Sequence, residues 1–212
     1  MSHNSILKLQ FSDGRDSLTA LGDINSELAD IGSRIWPLIF ENEPDDIKEL
    51  LKHKTLTDDE SKLLLFHFEL PRERLLKIIK GAGREPQVPG GGALSTYVLP
   101  HDYSYPQLYL IAQGEDYSRF DRFHVNMADD GTAVDEVMQI LSGGGVILHQ
   151  RLPEGDVLNL TLNSPGENAG WVVTYDGEYP HIGSISGAQA GTKVLMQIIG
   201  PERWVMRYDG EQ

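Results

Sequence analysis

Apolar residues recur along this chain at two intervals, and the interval changes near residue 85. Before that point steps of three and four dominate: Leu18, Leu21, Ile24, Leu28, Ile31 and Ile35 form one stripe. That is the pattern of an amphipathic helix, which Pro37 is expected to end. A short helix follows around Ile47 to Leu51. Thr57 with Glu60 three residues later makes a capping-box start for a run carrying Leu63, Leu64 and Leu65. Pro71 opens a further helix that closes at Gly81. Residues 1–85 are therefore read as a helical N-terminal segment.

From residue 86 the period is that of strands. The stretch "GREPQVPGGGALS" (83–95) reads as a linker or an irregular loop. Gly90 to Gly92 lack the lysine and the helix start of a phosphate-binding loop. Beyond it, short runs rich in Val, Ile, Leu and aromatics ("QLYLIAQ", "FDRFHVNM", "EVMQILS", "GVILHQRL", "VLNLTLN", "WVVTY", "HIGSIS", "KVLMQII", "RWVMRY") alternate with Gly, Asp, Asn and Pro turns. Such spacing predicts a β-sandwich or barrel over 86–212.

Three polar residues inside these runs change the picture. Alternation puts Glu136 on the same face as Val134, Met138 and Ile140. A buried carboxylate there needs a partner, for which a metal ion or an arginine is the usual solution. In "DRFHVNM" one face carries Arg122, His124 and Asn126 and the other Phe123, Val125 and Met127, and either could be the inner one. His181 starts a strand directly after "DGEYP". Taken singly, each histidine reads first as an ordinary residue rather than a ligand, His124 on an exposed sheet face and His181 hydrogen-bonded at a turn.

Composition narrows the chemistry. None of the 212 residues is cysteine, so disulfides, thiolate catalysis and iron–sulfur clusters are excluded and any metal must be held by His, Asp, Glu or Asn. A formal net charge of −14 argues against nucleic acid and anionic membrane surfaces as partners, because both reward clustered Lys and Arg. The N-terminus carries no signal-like apolar run, and no eighteen consecutive apolar residues occur. A soluble, cytoplasmic protein is expected.

"EVMQILSG", a Glu with a Gly seven positions on, and "GWVVTYDGEYPH", a glycine-containing turn that ends in Pro-His, resemble the two motifs of the cupin superfamily. Carried over residue by residue, Glu136 matches the motif glutamate, Gly143 the motif glycine and His181 the second-motif histidine. His124 with Asn126 stands where the family has His-x-His. A longer insertion follows it, and Asn replaces one imidazole. The stretch from Gly170 to Val205 also resembles the 4-hydroxylaminobenzoate lyase family.

The resemblance implies a cupin-like β-barrel (double-stranded β-helix) preceded by the helical segment, with a divalent metal held by His124, Glu136 and His181. Two imidazoles and a carboxylate suit Fe(II), with Mn or Ni as alternatives. Asn126 or Asp135 is expected to accept the second ring N–H of a ligand histidine. Tyr175 and His149 are candidates for proton transfer, His149 also being a reserve ligand. Trp171, Tyr179 and Arg151 are candidates for substrate contact, with Gly177 and Pro180 shaping the turn before His181. The expected function is an oxygenase, lyase or isomerase acting on a small organic, possibly aromatic, molecule. The alternative is a non-catalytic β-barrel that binds a small ligand or a protein. The apolar helical stripe is expected to pack on the barrel or on a second subunit, giving a homodimer.

Overall fold

A computed structural model describes residues 6–88, 92–93, 103–110, 121–129, 131–185, 187–200 and 204–209, with backbone alone for 87–88, 92–93 and 103–110. The glycine-rich centre of the 83–95 stretch lies outside these residues, as does the end of the "QLYLIAQ" run. In chain order the elements are β1 (Leu7–Phe11), α1 (Leu21–Leu28), a 3-10 turn (Ala29–Ile31), β2 (Arg34–Ile39), α2 (Asp45–Lys52), α3 (Asp58–Phe68), α4 (Arg72–Gly81), β3 (Gln87–Val88), β4 (Gly92–Ala93), β5 (Tyr103–Leu110), β6 (His124–Met127), β7 (Asp135–Ser142), β8 (Val146–Arg151), β9 (Val157–Leu162), β10 (Ala169–Asp176), β11 (His181–Ser184), β12 (Lys193–Gly200) and β13 (Val205–Tyr208).

Three helical expectations hold at the residues that carried them. Thr57 and Glu60 close a capping box at the start of α3, α4 begins after Pro71, and α2 contains Ile47 to Leu51. The long stripe from Leu18 to Ile35 does not form one helix. Gly32, at φ 61°, stops the helical turn, and Ile35 enters β2, where Pro37 pairs with Trp171 of β10. A proline fits there because β2 is an edge strand of its sheet, so no ladder donor is lost. Alternating Leu7, Leu9 and Phe11 form the strand β1, within the segment expected to be helical.

Two antiparallel sheets carry the fold, in the orders β1-β9-β8-β11-β6-β13 and β2-β10-β7-β12-β5. The N-terminal region supplies one edge strand to each, through β1 with β9 and β2 with β10. No strand pairing joins the two sheets among the described residues, so they form a sandwich there rather than a closed barrel. Between them lies an apolar cluster that includes Leu9, Met138, Ile140, Leu148, Leu160 and Val173. The far face of the second sheet is covered by α2, α3 and α4 through Phe40, Leu64, Leu195, Leu75, Ile79 and Val137. The first sheet shows the alternation of a one-sided sheet, buried and half-buried by turns in β8 and β9. Strand β7 is covered on both faces and is buried along nearly its whole length, which is why apolar content alone could not show which side of it faces the other sheet.

Candidate metal and acid–base site

The two sheets bring the three expected residues together. On one side Glu136 of β7 pairs directly with Tyr175 of β10. On the other His181 of β11 pairs with His124 of β6, with Asn126 two residues further along the same face. Directly paired residues in a ladder point to one side, so the two rows confront each other across the sandwich. Glu136, His181, His124, Asn126 and Tyr175 are all buried.

The Glu136 carboxylate is the centre of the arrangement. Asn126 Nδ2 donates to its Oε1 at 2.5 Å and Tyr175 Oη donates to its Oε2 at 2.8 Å. His181 Nε2 lies 2.9 Å from Oε1, close enough for an ion pair yet out of line for a hydrogen bond. Burial pushes the Glu136 carboxyl upward, but the charge of the neighbouring His181 imidazole and the donors Asn126 and Tyr175 outweigh it and hold it at about 2. For His181 burial pulls downward and the neighbouring carboxylate prevails, so the ring titrates above its usual value. His124 titrates below its usual value, first through burial and then through the neighbouring His181. The two rings meet edge to face with centroids 4.6 Å apart.

Each histidine is oriented by a main-chain carbonyl. His124 Nδ1 lies 2.9 Å from Arg122 O and His181 Nδ1 lies 2.8 Å from Tyr179 O. These carbonyls take the place expected for Asn126 or Asp135. A proton held at Nδ1 leaves Nε2 as the nitrogen able to coordinate. Asp135 points to the opposite side of β7, where it pairs with Arg84. Arg84 also donates to Gly32 O at 2.9 Å and to Thr174 Oγ1 at 3.1 Å, and that hydroxyl donates to Glu136 O at 2.8 Å. The backbone of Glu136 is thus braced from behind.

The glycines act by close approach. A Cβ on Gly177 would stand 2.3 Å from Val134 O, whose carbonyl accepts the Gly177 N–H at 3.0 Å. Gly177 therefore serves the turn before His181 through this close approach and not through a positive φ. Gly143, by contrast, sits at φ 81°, and a Cβ there would lie 2.2 Å from Thr192 Oγ1, so both backbone angle and space call for glycine.

The remaining sequence candidates are placed elsewhere. His149 and Arg151 alternate with the buried Val146, Leu148 and Gln150, so they lie on the outer face of the first sheet. There His149 Nδ1 meets Asn159 Oδ1, while Arg151 pairs with Asp209 and stacks over Phe123. Both are corrected as residues of the inner site. Trp171 is in the apolar half of the core, opposite Ile140, with its indole N–H on Asn163 O at 2.7 Å. Tyr179 packs against the edge of that core, and its carbonyl rather than its ring serves His181.

Two inner-face residues were not singled out from the sequence. Gln150 pairs with His181 and donates to Ser33 Oγ at 3.1 Å, and Tyr208 pairs with His124, with ring centroids 5.9 Å apart. Alternation in "VILHQR" carried the signal for Gln150, since the face holding Val146 and Leu148 also holds residue 150. A surface depression of about 390 Å³ lined by Leu51, Lys54, Ser142, Gly143 and Gly191 lies at the other end of β7 from Glu136.

Whether these residues suit a metal ion can be judged from their donors. Among the described residues no three His, Cys, Asp or Glu side chains stand at the mutual spacing of a bound ion. His181 Nε2 and Asn126 Oδ1 are the buried side-chain polar atoms left without a hydrogen-bond partner among the described residues. Both belong to side chains that touch this one carboxylate. Two oriented imidazoles, an ionised carboxylate and two unsatisfied polar atoms in a buried centre fit a divalent cation.

No protein-family model matches the chain, and no curated protein matches it in sequence. Among solved structures it is similar to an acireductone dioxygenase from Bacillus anthracis, determined with a cadmium ion in the active center. The TM-score is 0.62 at 13% identity, over 96% of this chain and 99% of that one. At that identity the likeness speaks for the fold. It supports the cupin-like architecture and lends nothing to the narrower resemblance to the hydroxylaminobenzoate lyases. The chain is a mainly β protein of two antiparallel sheets in a cupin-like fold.

Proposed function

We propose that the chain is a divalent-metal enzyme acting on a small organic molecule, with His124, Glu136 and His181 holding the ion. The observation that carries this reading is the pairing of unsatisfied buried atoms, His181 Nε2 and Asn126 Oδ1, with an ionised, buried Glu136. Fe(II) suits two imidazoles and a carboxylate best, with Mn and Ni as the alternatives. Oxygenase chemistry takes precedence over lyase or isomerase chemistry because the similar solved structure is a dioxygenase. A soluble homodimer is the proposed form.

When bound, the ion supplies Lewis-acid polarisation or redox activation of dioxygen. The chain's own residues do the rest. Carbonyls of Arg122 and Tyr179 keep the Nδ1 protons in place and so present Nε2. Tyr175 holds one carboxylate oxygen of Glu136 through its hydroxyl, a contact that supports it as the proton-transfer group at Oη. Met138, two residues along β7 on the same face, belongs to the apolar cluster on that side of the centre.

The test is a metal analysis of protein purified anaerobically, followed by dioxygen-uptake screening with small aromatic acids. Stoichiometric transition metal in the parent, its loss in His181→Ala and strong weakening in Glu136→Gln are expected. A parent that binds no divalent metal would remove this reading. A second reading, a non-catalytic ligand-binding sandwich, is favoured by one observation: Glu136 already receives two side-chain hydrogen bonds. In that case His181→Ala lowers stability by about 1–3 kcal/mol for a buried partner lost and changes no metal content.

A further inference from the structure

Asn126 is 1% exposed and sits two residues after His124 on the inner face of β6. Its amide has a donor half and an acceptor half. The donor half is used, with Nδ2 2.5 Å from Glu136 Oε1. The acceptor half is idle, since Oδ1 has no hydrogen-bond partner among the described residues. Buried carbonyl oxygens in native proteins are almost always paired, so an idle one calls for a reason. A role limited to bracing Glu136 accounts for Nδ2 and leaves Oδ1 unexplained. A cation shared with Glu136 accounts for Oδ1, because an amide oxygen is a neutral, hard donor.

We infer that Asn126 is a fourth donor of this centre through Oδ1, and that by standing where the cupin pattern has an imidazole it biases the site toward hard divalent ions. The inference rests on the metal reading given above and adds the identity of the ion class. Replacing one of three imidazoles by an amide oxygen changes the donor set from three nitrogens and one oxygen to two of each. Imidazole favours Ni(II), Cu(II) and Zn(II), whereas carboxylate and carbonyl oxygens favour Mn(II) and Mg(II). The general affinity order still places Mn(II) below Ni(II). The effect is therefore a narrowed gap between the two ions and is read as a ratio of affinities.

The experiment titrates the metal-free full-length chain, anaerobically and separately, with manganese chloride and nickel chloride. Dissociation constants are measured by calorimetry or chelator competition, with the far-ultraviolet spectrum checking the fold. Asn126→Ala is expected to weaken Mn(II) by roughly 10–100-fold, the range seen when a supporting group of a metal site is lost. Asn126→His is expected to tighten Ni(II) by about tenfold more than Mn(II), following the preference of imidazole for the later metals. Asn126→Asp keeps an oxygen in place and should hold Mn(II) at least as tightly as the parent. It also preserves the test if the alanine variant does not fold. A parent that binds Mn(II), with Asn126→Ala within about twofold of it or Asn126→His moving both ions equally, overturns this inference and leaves the metal reading standing. A folded parent that binds neither ion overturns both.

Discussion

The space between the two sheets is divided into halves built from the same strands and opposite chemistry. Along β7 and β10 the inward residues run Ile140 with Trp171, Met138 with Val173, then Glu136 with Tyr175. The first two pairs meet Leu148, Leu160 and Val146 of the other sheet. The third meets His181, His124 and Asn126. Two steps along a strand, about 7 Å, separate a dry core from a centre of charges. The apolar half stabilises by removing area from water, on the order of 1.5–3 kcal/mol for each large side chain buried. The polar half gains little net stability, since the cost of desolvating a carboxylate and an imidazole offsets much of their attraction. One half holds the sheets together, and the other uses that rigidity to keep unsatisfied polar atoms in place.

This contrast can be broken at several points, beginning with the largest expected effect. Deleting the chain up to Pro89 removes β1 and β2, each an edge strand of one sheet, along with the helices that cover the second sheet. The remaining piece should be insoluble or unfolded by circular dichroism, and a soluble, monomeric, fully stable fragment would show that the N-terminal segment is dispensable. Next, Ile140→Ala, at a site with no exposure, should cost about 2–5 kcal/mol in denaturant unfolding. Metal affinity of the folded fraction should stay unchanged. A metal defect of the same size as in His181→Ala would show that the halves are not independent.

A buried charge outside both halves offers a sharper comparison. Lys193 is fully buried on the helix side of the second sheet, with its ammonium donating to Leu51 O at 3.0 Å, His53 O at 2.6 Å and Gly191 O at 3.2 Å. Burial brings it down from 10.5 to about 8. Between these values the unfolded chain holds a proton that the folded chain has released, so this residue's contribution to stability rises with pH across that window and is flat below it. The melting-temperature difference between the parent and Lys193→Met should move in the parent's favour from pH 8 to pH 10. A difference independent of pH would show that Lys193 titrates normally. The smallest effect is expected from Tyr175→Phe, which deletes only the hydroxyl on Glu136. Stability should fall by about 1 kcal/mol while metal affinity falls by roughly tenfold, and an affinity equal to the parent's would deny Tyr175 any hold on the carboxylate.

Much of this was legible before any fold was known, for reasons particular to each segment. The strands from "FDRFHVNM" onward were read correctly because turn residues bound them and alternation within them is regular. Helix α3 was readable from Thr57 and Glu60, whose side chains satisfy the first turn locally. The stripe from Leu18 to Ile35 misled because steps of three and four also fit a short helix followed by a strand, and only pairing with β10 shows that Ile35 belongs to a sheet. His149 and Arg151 misled for the opposite reason. In "VILHQRL" both alternating faces carry aliphatic residues, Val146 and Leu148 on one and Ile147 on the other, and a shift of one residue moves every side chain to the other side.

The sequence by itself determined that Glu136 lies among apolar neighbours, that no thiol takes part, and that His124 and Asn126 share one face of a strand, since composition and a two-residue period are local properties. The tertiary structure alone decided that this face and the one bearing His181 meet Glu136, that main-chain carbonyls orient both rings, and that Asn126 Oδ1 is left without a partner. Those outcomes depend on which strands become neighbours. Partners such as Asn126 and Glu136 sit on different sheets, and which sheets face each other is set by burial of the whole core rather than by any segment of it.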